Sequence, residues 1–243
     1  MSRKQKRANK KNKDQYEYNT MECTSAFILN VKISKSDLSK VQSYSEQLFN
    51  SDDDKKVDAS FNLVGEIPSG EELKVDPNDI RIKEFCEKIR VISKTYIDEY
   101  CRRIIKNPQL TGIAHDSIWL NSYGKGDYNP YHDHTTETPM GLSWFLYVKV
   151  PNSMNTRIDD GSSGRLEGAL GGRKYHNGCT ALHWGYNFHD SATSYGSFLI
   201  PPMFLLNPEE GQLYMFPKWL KHQVYPHTCD ENRISMAGNL SIF

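Results

Sequence analysis

The stretch Phe216-Pro217-Lys218-Trp219-Leu220-Lys221-His222-Gln223-Val224, running on to Arg233-Ile234-Ser235, carries the reading of this chain together with an upstream cluster, His132-Asp133-His134. Side chains alternate across a pleated strand, so histidines two apart on one strand put both imidazoles on one face. A third histidine from a distant strand can then close a facial metal site, while His-Asp-His alone also fits a solvated turn. Such a site leaves coordination positions open for chemistry.

Just upstream, Trp119, Asn121 and Tyr123 alternate, and Gly124-Lys125-Gly126-Asp127 reads as a turn. The expected arrangement is a hairpin whose second strand, Tyr131 to Thr136, carries the histidines, so that polar side chains of both strands share an inner face. Unpaired polar groups inside a barrel cost on the order of a kcal/mol each, so an interior lined with histidine, asparagine and tyrosine marks a site. Further strands are expected at Ser117 to Tyr123, Leu142 to Val150, Ser197 to Leu206, Gln212 to Phe216, His222 to Tyr225 and Arg233 to Ile242, with one far upstream at Ala26 to Ile33.

Two helices precede most of them. One opens at Ser36-Asp37-Leu38 and runs to about Phe49, before an acidic-polar loop from Ser51 to Lys56. The longer starts at Pro77-Asn78-Asp79 and ends near Ile105, with Ile82, Phe85, Ile89, Ile92, Tyr96, Ile97 and Tyr100 at helical spacing. Helices followed by many short strands point to an α+β protein whose β half is a sandwich or barrel with helices on one face. Residues 152–195, rich in Gly, Ser and Asn, read as an insertion at the barrel rim and as the place to seek specificity. His176, His183 and His189 fall within it. Trp144, Trp184 and Trp219 read as packing residues.

Taken in order, Tyr123-Gly124-Lys125-Gly126-Asp127-Tyr128, His132-x-His134, Leu142-Ser143 through Tyr147 and Pro151, Gly211-x-Leu213-x-x-Phe216-Pro217-x-x-Leu220-x-His222-x-Val224-x-Pro226 and Arg233-x-Ser235 resemble the core of the 2-oxoglutarate/Fe(II)-dependent oxygenases. The likeness is greatest to a branch common in bacteria and phages and related to prolyl 4-hydroxylases, and it spans Ser117 to Phe243. It implies a double-stranded β-helix, that is a jelly-roll, cupin-like core, buttressed by N-terminal helices. The implied organisation is a single oxygenase domain over residues 21–243, with a strand and helical buttress at 21–114 and the core at 115–243.

The resemblance also implies roles. His132 and His222 would bind Fe(II), and Arg233, with Ser235 beside it, would bind the distal carboxylate of the cosubstrate 2-oxoglutarate. A guanidinium forks onto a carboxylate and stays charged, and a hydroxyl two residues on donates to the same oxygens. Asn121 and Tyr123 would help hold the cosubstrate. Most of the superfamily has His-x-Asp or His-x-Glu where this chain has His134, while His-x-His is frequent in the branch. A neutral imidazole there leaves the iron more positive, which dianionic 2-oxoglutarate offsets. Other candidates for the third ligand are Asp133, if a bulge re-aims it, and more remotely Asp127. His227 competes with His222 as the distal ligand. The implied reaction consumes O2 and 2-oxoglutarate, releases succinate and CO2, and hydroxylates a C–H bond of a protein side chain, a nucleic acid or a metabolite. The reading from another class is a noncatalytic cupin-like module whose histidines bind zinc or hydrogen-bond inside the barrel. Arg233-x-Ser235 separates the two, because a structural metal site needs no cosubstrate anchor.

The chain has 243 residues and a formal net charge of zero, but Arg3, Lys4, Lys6, Arg7, Lys10, Lys11 and Lys13 crowd one end. Residues 1–20 are therefore expected to form a disordered basic tail, suited to nucleic acid or an acidic protein surface, or serving only solubility. No apolar run has the length of a membrane span, and no signal peptide is evident, so the expectation is a cytoplasmic protein without a membrane partner. Five scattered cysteines without Cys-x-x-Cys spacing are expected to be free thiols.

Overall fold

The computed structural model describes residues 17–22, 27–52, 54, 56–60, 63, 65, 67–103, 110–135, 140–155, 177–183 and 203–243. The basic run of residues 1–16, the expected strand residues 197–202, His176, His189 and Trp184 lie outside them. Among the described residues, two helices and eleven strands form an antiparallel seven-stranded sheet and an antiparallel four-stranded sheet.

The chain begins with β1 (Glu17–Glu22) and β2 (Phe27–Lys32), paired antiparallel from Glu17↔Lys32 to Glu22↔Phe27. Then come α1 (Lys35–Phe49), β3 (Glu71–Lys74), α2 (Lys83–Arg103), β4 (Ile113–Tyr123), β5 (Asn129–His132) and β6 (Gly141–Lys149). A short 3-10 turn (Asn152–Asn155) precedes β7 (Thr180–His183), β8 (Met203–Leu206), β9 (Gln212–Pro217), β10 (Lys221–Val224) and β11 (Arg233–Ile242). The larger sheet has the order β1-β2-β9-β6-β11-β4-β3 and the smaller β5-β10-β7-β8.

The central strands are apolar on both faces, and the pleat sorts their residues. On β6, Leu142, Trp144, Leu146 and Val148 pack with α1 and α2, whereas Phe145 and Tyr147 join the cluster between the sheets. On β9, Leu213 and Met215 go to the helical side and Tyr214 and Phe216 inward; on β11, Met236 and Leu240 divide from Ala237 in the same way. From the smaller sheet, Leu182 and Leu206 close the inner cluster. Each such buried side chain contributes roughly 1.5–3 kcal/mol, so the helices and the smaller sheet are both held by burial against the large one. This is the α+β jelly roll with helical buttress expected from sequence.

Several boundaries differ for identifiable reasons. Residues 17–20, placed in the disordered tail, belong to β1, whose backbone ladder with β2 has no apolar alternation to announce it. Helix α1 is capped by Ser34, whose Oγ accepts from the Asp37 backbone N–H at 3.1 Å. Helix α2 starts at Lys83, because the carboxylates of Asp76 and Asp79 accept from the backbone of Asn78 and Arg81 and hold turns there. Strand β3 lacked a sequence signal. Strand β7 lies inside the span read as an insertion, so Thr180–His183 is core sheet rather than rim.

The expected hairpin is corrected as well. Strand β4 pairs with β3 and β11, while β5 pairs with β10, so residues 124–128 carry the chain from one sheet to the other. Asp127 pins that crossing: its carboxylate accepts from Gly124 N–H (2.7 Å), Ser69 N–H (3.2 Å) and Ser69 Oγ (2.9 Å). Gly126 sits at φ 90°, which a residue without Cβ adopts at no steric cost.

None of the four described cysteines, Cys86, Cys101, Cys179 and Cys229, is in a disulfide. Among the described residues no helix is long and apolar enough to cross a membrane.

Candidate metal centre

His132 ends β5 and is the cross-strand partner of His222 on β10, which brings their rings to a centroid separation of 4.2 Å. His134 lies just past the end of β5, not on a strand as expected. Its backbone N–H donates to the Lys218 carbonyl (3.1 Å), and its ring lies 4.9 Å from that of His222 and 5.2 Å from that of His132. One ligand atom from each histidine lies within 4.8 Å of the others.

The second ring nitrogens fix which atoms face one another. Nδ1 of His132 meets the Pro130 carbonyl (2.6 Å), Nδ1 of His222 the Leu220 carbonyl (3.1 Å) and Nδ1 of His134 the Asn239 side-chain oxygen (2.8 Å). Each partner is an acceptor, so each Nδ1 carries the proton and each Nε2 presents a lone pair. Asn129 Nδ2 approaches His132 Nε2 at 3.4 Å. Burial lowers the pKa of all three histidines, His134 to about 4 and His222 well below its ordinary value, and their mutual proximity lowers His134 and His222 further. Three neutral imidazoles with converging lone pairs suit a divalent cation, each with the outer hydrogen bond that metal-bound histidines usually have.

The other candidates are engaged elsewhere. Asp133 accepts from Thr135 N–H (3.1 Å) and Oγ1 (2.7 Å) and pairs with Lys221. Burial alone would raise its carboxyl, but these partners outweigh that and bring it down to about 2. Asp127 is spent on the crossing. His227 is buried with Nε2 on the Tyr123 carbonyl (2.8 Å), and His183 packs edge-on against Tyr131 (5.1 Å).

Arg233 opens β11 and is 2% exposed. Its Nη1 donates to the Gly178 carbonyl (2.5 Å), its Nε has no partner, and its guanidinium lies over the rings of Tyr123 (5.4 Å) and Tyr147 (5.9 Å). No carboxylate among the described residues pairs with it. A buried cation without a counter-ion among the described residues is costly, and a bound anion would relieve that cost. Ser235 sits between Asn121 and Tyr147 in register, on the same inner face. The Tyr147 hydroxyl meets Thr180 Oγ1 at 3.0 Å. Sequence reading passed over Tyr147, because Trp144-Phe145-Leu146-Tyr147 looks like core throughout; only its alternation with Leu146 marks it as inward.

Asn121 has protein partners of its own. With its amide nitrogen donating to Glu72 Oε2 (2.5 Å) and its oxygen accepting from the Trp119 indole N–H (3.2 Å), both neighbours are satisfied. Glu72, paired with Asn121 in the β3–β4 register, was not anticipated. It is 5% exposed, and burial, with Asp58 nearby, pushes its carboxyl from 4.5 up to about 8. The folded protein therefore keeps this proton where the unfolded chain has lost it. The associated stability is present below about pH 4.5 and is lost as pH rises through about 8. Glu72→Gln, which keeps the acceptor for Asn121, is expected to match the parent at pH 5. At pH 9 it should exceed the parent by on the order of 3 kcal/mol, about 5 °C or more in Tm. Equal Tm values at both pH values would show that Glu72 ionises freely in the fold.

A family model described as 2OG-Fe(II) oxygenase matches residues 117–239. No curated protein matches the chain. Among solved structures, HygX from Streptomyces hygroscopicus with nickel and 2-oxoglutarate bound is similar at 11% identity and TM-score 0.53, covering 88% of this chain and 82% of that one. A prolyl hydroxylase from Trichoplax adhaerens, in complex with a hypoxia inducible factor peptide fragment, is similar at 16% identity and TM-score 0.52, covering 90% and 83%. The epimerase SnoN from nogalamycin biosynthesis is similar at 10% identity and TM-score 0.50, covering 88% and 76%.

Proposed function

The chain belongs to the 2OG-Fe(II) oxygenase family, and from that premise we propose that it hydroxylates a C–H bond, most simply on a peptidyl side chain, with His132, His134 and His222 holding Fe(II). The observation that carries the reading is the pairing, inside one barrel, of three converging Nε2 lone pairs with a buried guanidinium that has no acid of its own among the described residues. When bound, Fe(II) and 2-oxoglutarate supply O2 activation coupled to oxidative decarboxylation, with succinate and CO2 as coproducts.

The protein's residues do the holding and shielding. Arg233 receives the distal carboxylate of 2-oxoglutarate through its fork, and Ser235 donates from two residues along the same strand face. Tyr147, fastened by Thr180, and Tyr123 form the aromatic walls against which that guanidinium lies. Phe216, with its ring 5.2 Å from that of His222, and Phe145 keep the inner face apolar and limit water. Tyr131 and Trp219, 47% and 41% exposed, flank the ligand segments and offer an apolar surface for an extended chain. The prolyl hydroxylase neighbour, with its peptide, makes a peptidyl substrate the first class to assay.

A noncatalytic metal module is the reading to beat. Anaerobic titration with Fe(II) and then 2-oxoglutarate is expected to develop the visible charge-transfer absorption of a chelated 2-oxo acid. Iron binding without that absorption, and without succinate formation in air, would favour a structural metal site.

A further inference from the structure

The outer nitrogen of the third histidine, His134, has a different kind of partner from those of the other two. His132 and His222 are held by main-chain carbonyls two residues back along their own segments, whereas His134 is held by a side chain from the far sheet, Asn239 on β11. Resting on the reading of His134 as a ligand, we propose that Asn239 is a positioning residue that fixes the ring and tautomer of His134. Together with Ser143 and Ser117, it makes a histidine workable where most of the superfamily has a carboxylate.

The register builds this device. Asn239 pairs with Ser143 on β6 and with Ser117 on β4, so three small polar residues stand in one row across the centre of the large sheet. The Asn239 oxygen accepts from Ser143 Oγ at 2.8 Å and from His134 Nδ1 at 2.8 Å, and its amide nitrogen donates to Ser117 Oγ at 3.3 Å. The two serines thereby tether both ends of the amide, with its oxygen toward the imidazole. Turned over, the amide nitrogen would face Nδ1, the proton would move to Nε2, and the lone pair needed at the metal would be gone.

The main chain is held at the same place. Next to Asn239 the β11–β4 register slips, with Asn239 opposite Ser117 but Leu240 opposite His115, so Asp116 is the extra residue of a bulge. Asp116 pairs with Lys218, the residue whose carbonyl receives the His134 N–H. An aspartate in place of His134 would be too short to need Asn239, since its carboxylate ligates directly and requires no tautomer.

The test is a double-substitution cycle read as Co(II) affinity, by competition with a chelating indicator, on the full chain without cosubstrate. Asn239→Ala is expected to weaken Co(II) binding by about 10–100-fold, the usual loss for an outer partner of a metal-bound histidine. Asn239→Asp keeps an acceptor and should stay within about threefold of the parent. In a His134→Asp background, Asn239→Ala should cost less than about threefold. Equal losses in both backgrounds would reduce Asn239 to a structural residue, and no loss in the parent background would overturn the proposal outright. His134→Ala separates the layers: unchanged Co(II) affinity in that variant would remove His134 from the ligand set, a different failure from that of Asn239. If Asn239→Ala does not fold, the pair Ser117→Ala and Ser143→Ala removes both tethers of the Asn239 amide, and a loss of at least about fivefold is expected in its place.

Discussion

Replacing His222 by alanine is expected to abolish Fe(II) retention and, with it, all succinate formation, and His132→Ala should do the same. A four-ligand zinc site is typically worth about 10–16 kcal/mol, so one ligand accounts for about 3 kcal/mol, or two to three powers of ten in affinity. The loss falls on a site with only three protein ligands among the described residues, where no neighbour substitutes. Asp133 is tied to Lys221 and Thr135, and His227 is turned to the Tyr123 carbonyl. Folding should survive, because the metal-free protein gains little from a buried imidazole whose Nε2 faces other lone pairs. The discriminating measurement is the thermal shift on adding Fe(II) anaerobically. At about a thousand times Kd the parent gains about 4 kcal/mol, while either variant should show no shift and a metal-free Tm within a few degrees of the parent. Retained succinate production in either variant would remove that histidine from the site.

The site residues are legible in sequence mainly through the order of motifs that resemble the family, and the shared face of residues two apart on a strand adds a local signal. His132 and His222 stand opposite each other through β5 and β10, and Arg233 and Ser235 share a face of β11 through the same pleat. His134 reached the cluster by a route that the pattern did not contain. Its strand ends at His132, and the segment beyond is steered by hydrogen bonds to Lys218 and Asn239. Those partners are some eighty to a hundred residues away in the chain, so no spacing rule identifies them. The same limit hid Glu72, whose burial depends on β3 landing beside β4, and Thr180, whose strand sits in a glycine-rich span that resembles loop. The hairpin expectation failed for a related reason. Tight-turn chemistry at Gly124-Lys125-Gly126-Asp127 is common to a hairpin and to a crossing between sheets, and Asp127 bound to Ser69 selects the crossing. Composition pointed to the wrong structure where it was the only guide, at residues 17–20 and 180–183.

Arg233→Met is expected to raise the 2-oxoglutarate concentration needed for half-saturation by at least about 100-fold while leaving Fe(II) affinity within about twofold. A charge-assisted hydrogen bond is worth about 1.5–3 kcal/mol, and a fork onto a carboxylate makes two, so the loss of the pair exceeds 3 kcal/mol even after the exchange with water. The metal-free protein should respond in the opposite direction. In the parent, the guanidinium is buried with only the Gly178 carbonyl as a partner among the described residues, and its Nε is unpaired, between two aromatic rings that screen it weakly. An unbranched apolar side chain of similar length removes that desolvation and keeps the packing, so metal-free Arg233→Met should be at least as stable as the parent. Arg233→Lys keeps the charge without the fork and should fall between, with a loss of about tenfold in cosubstrate affinity. Stability and cosubstrate affinity moving in opposite directions is the signature of a residue kept for its ligand. If Arg233→Met instead destabilised the protein by several kcal/mol and left 2-oxoglutarate binding intact, the guanidinium would be a structural group, and the anion site would have to be sought elsewhere in the barrel.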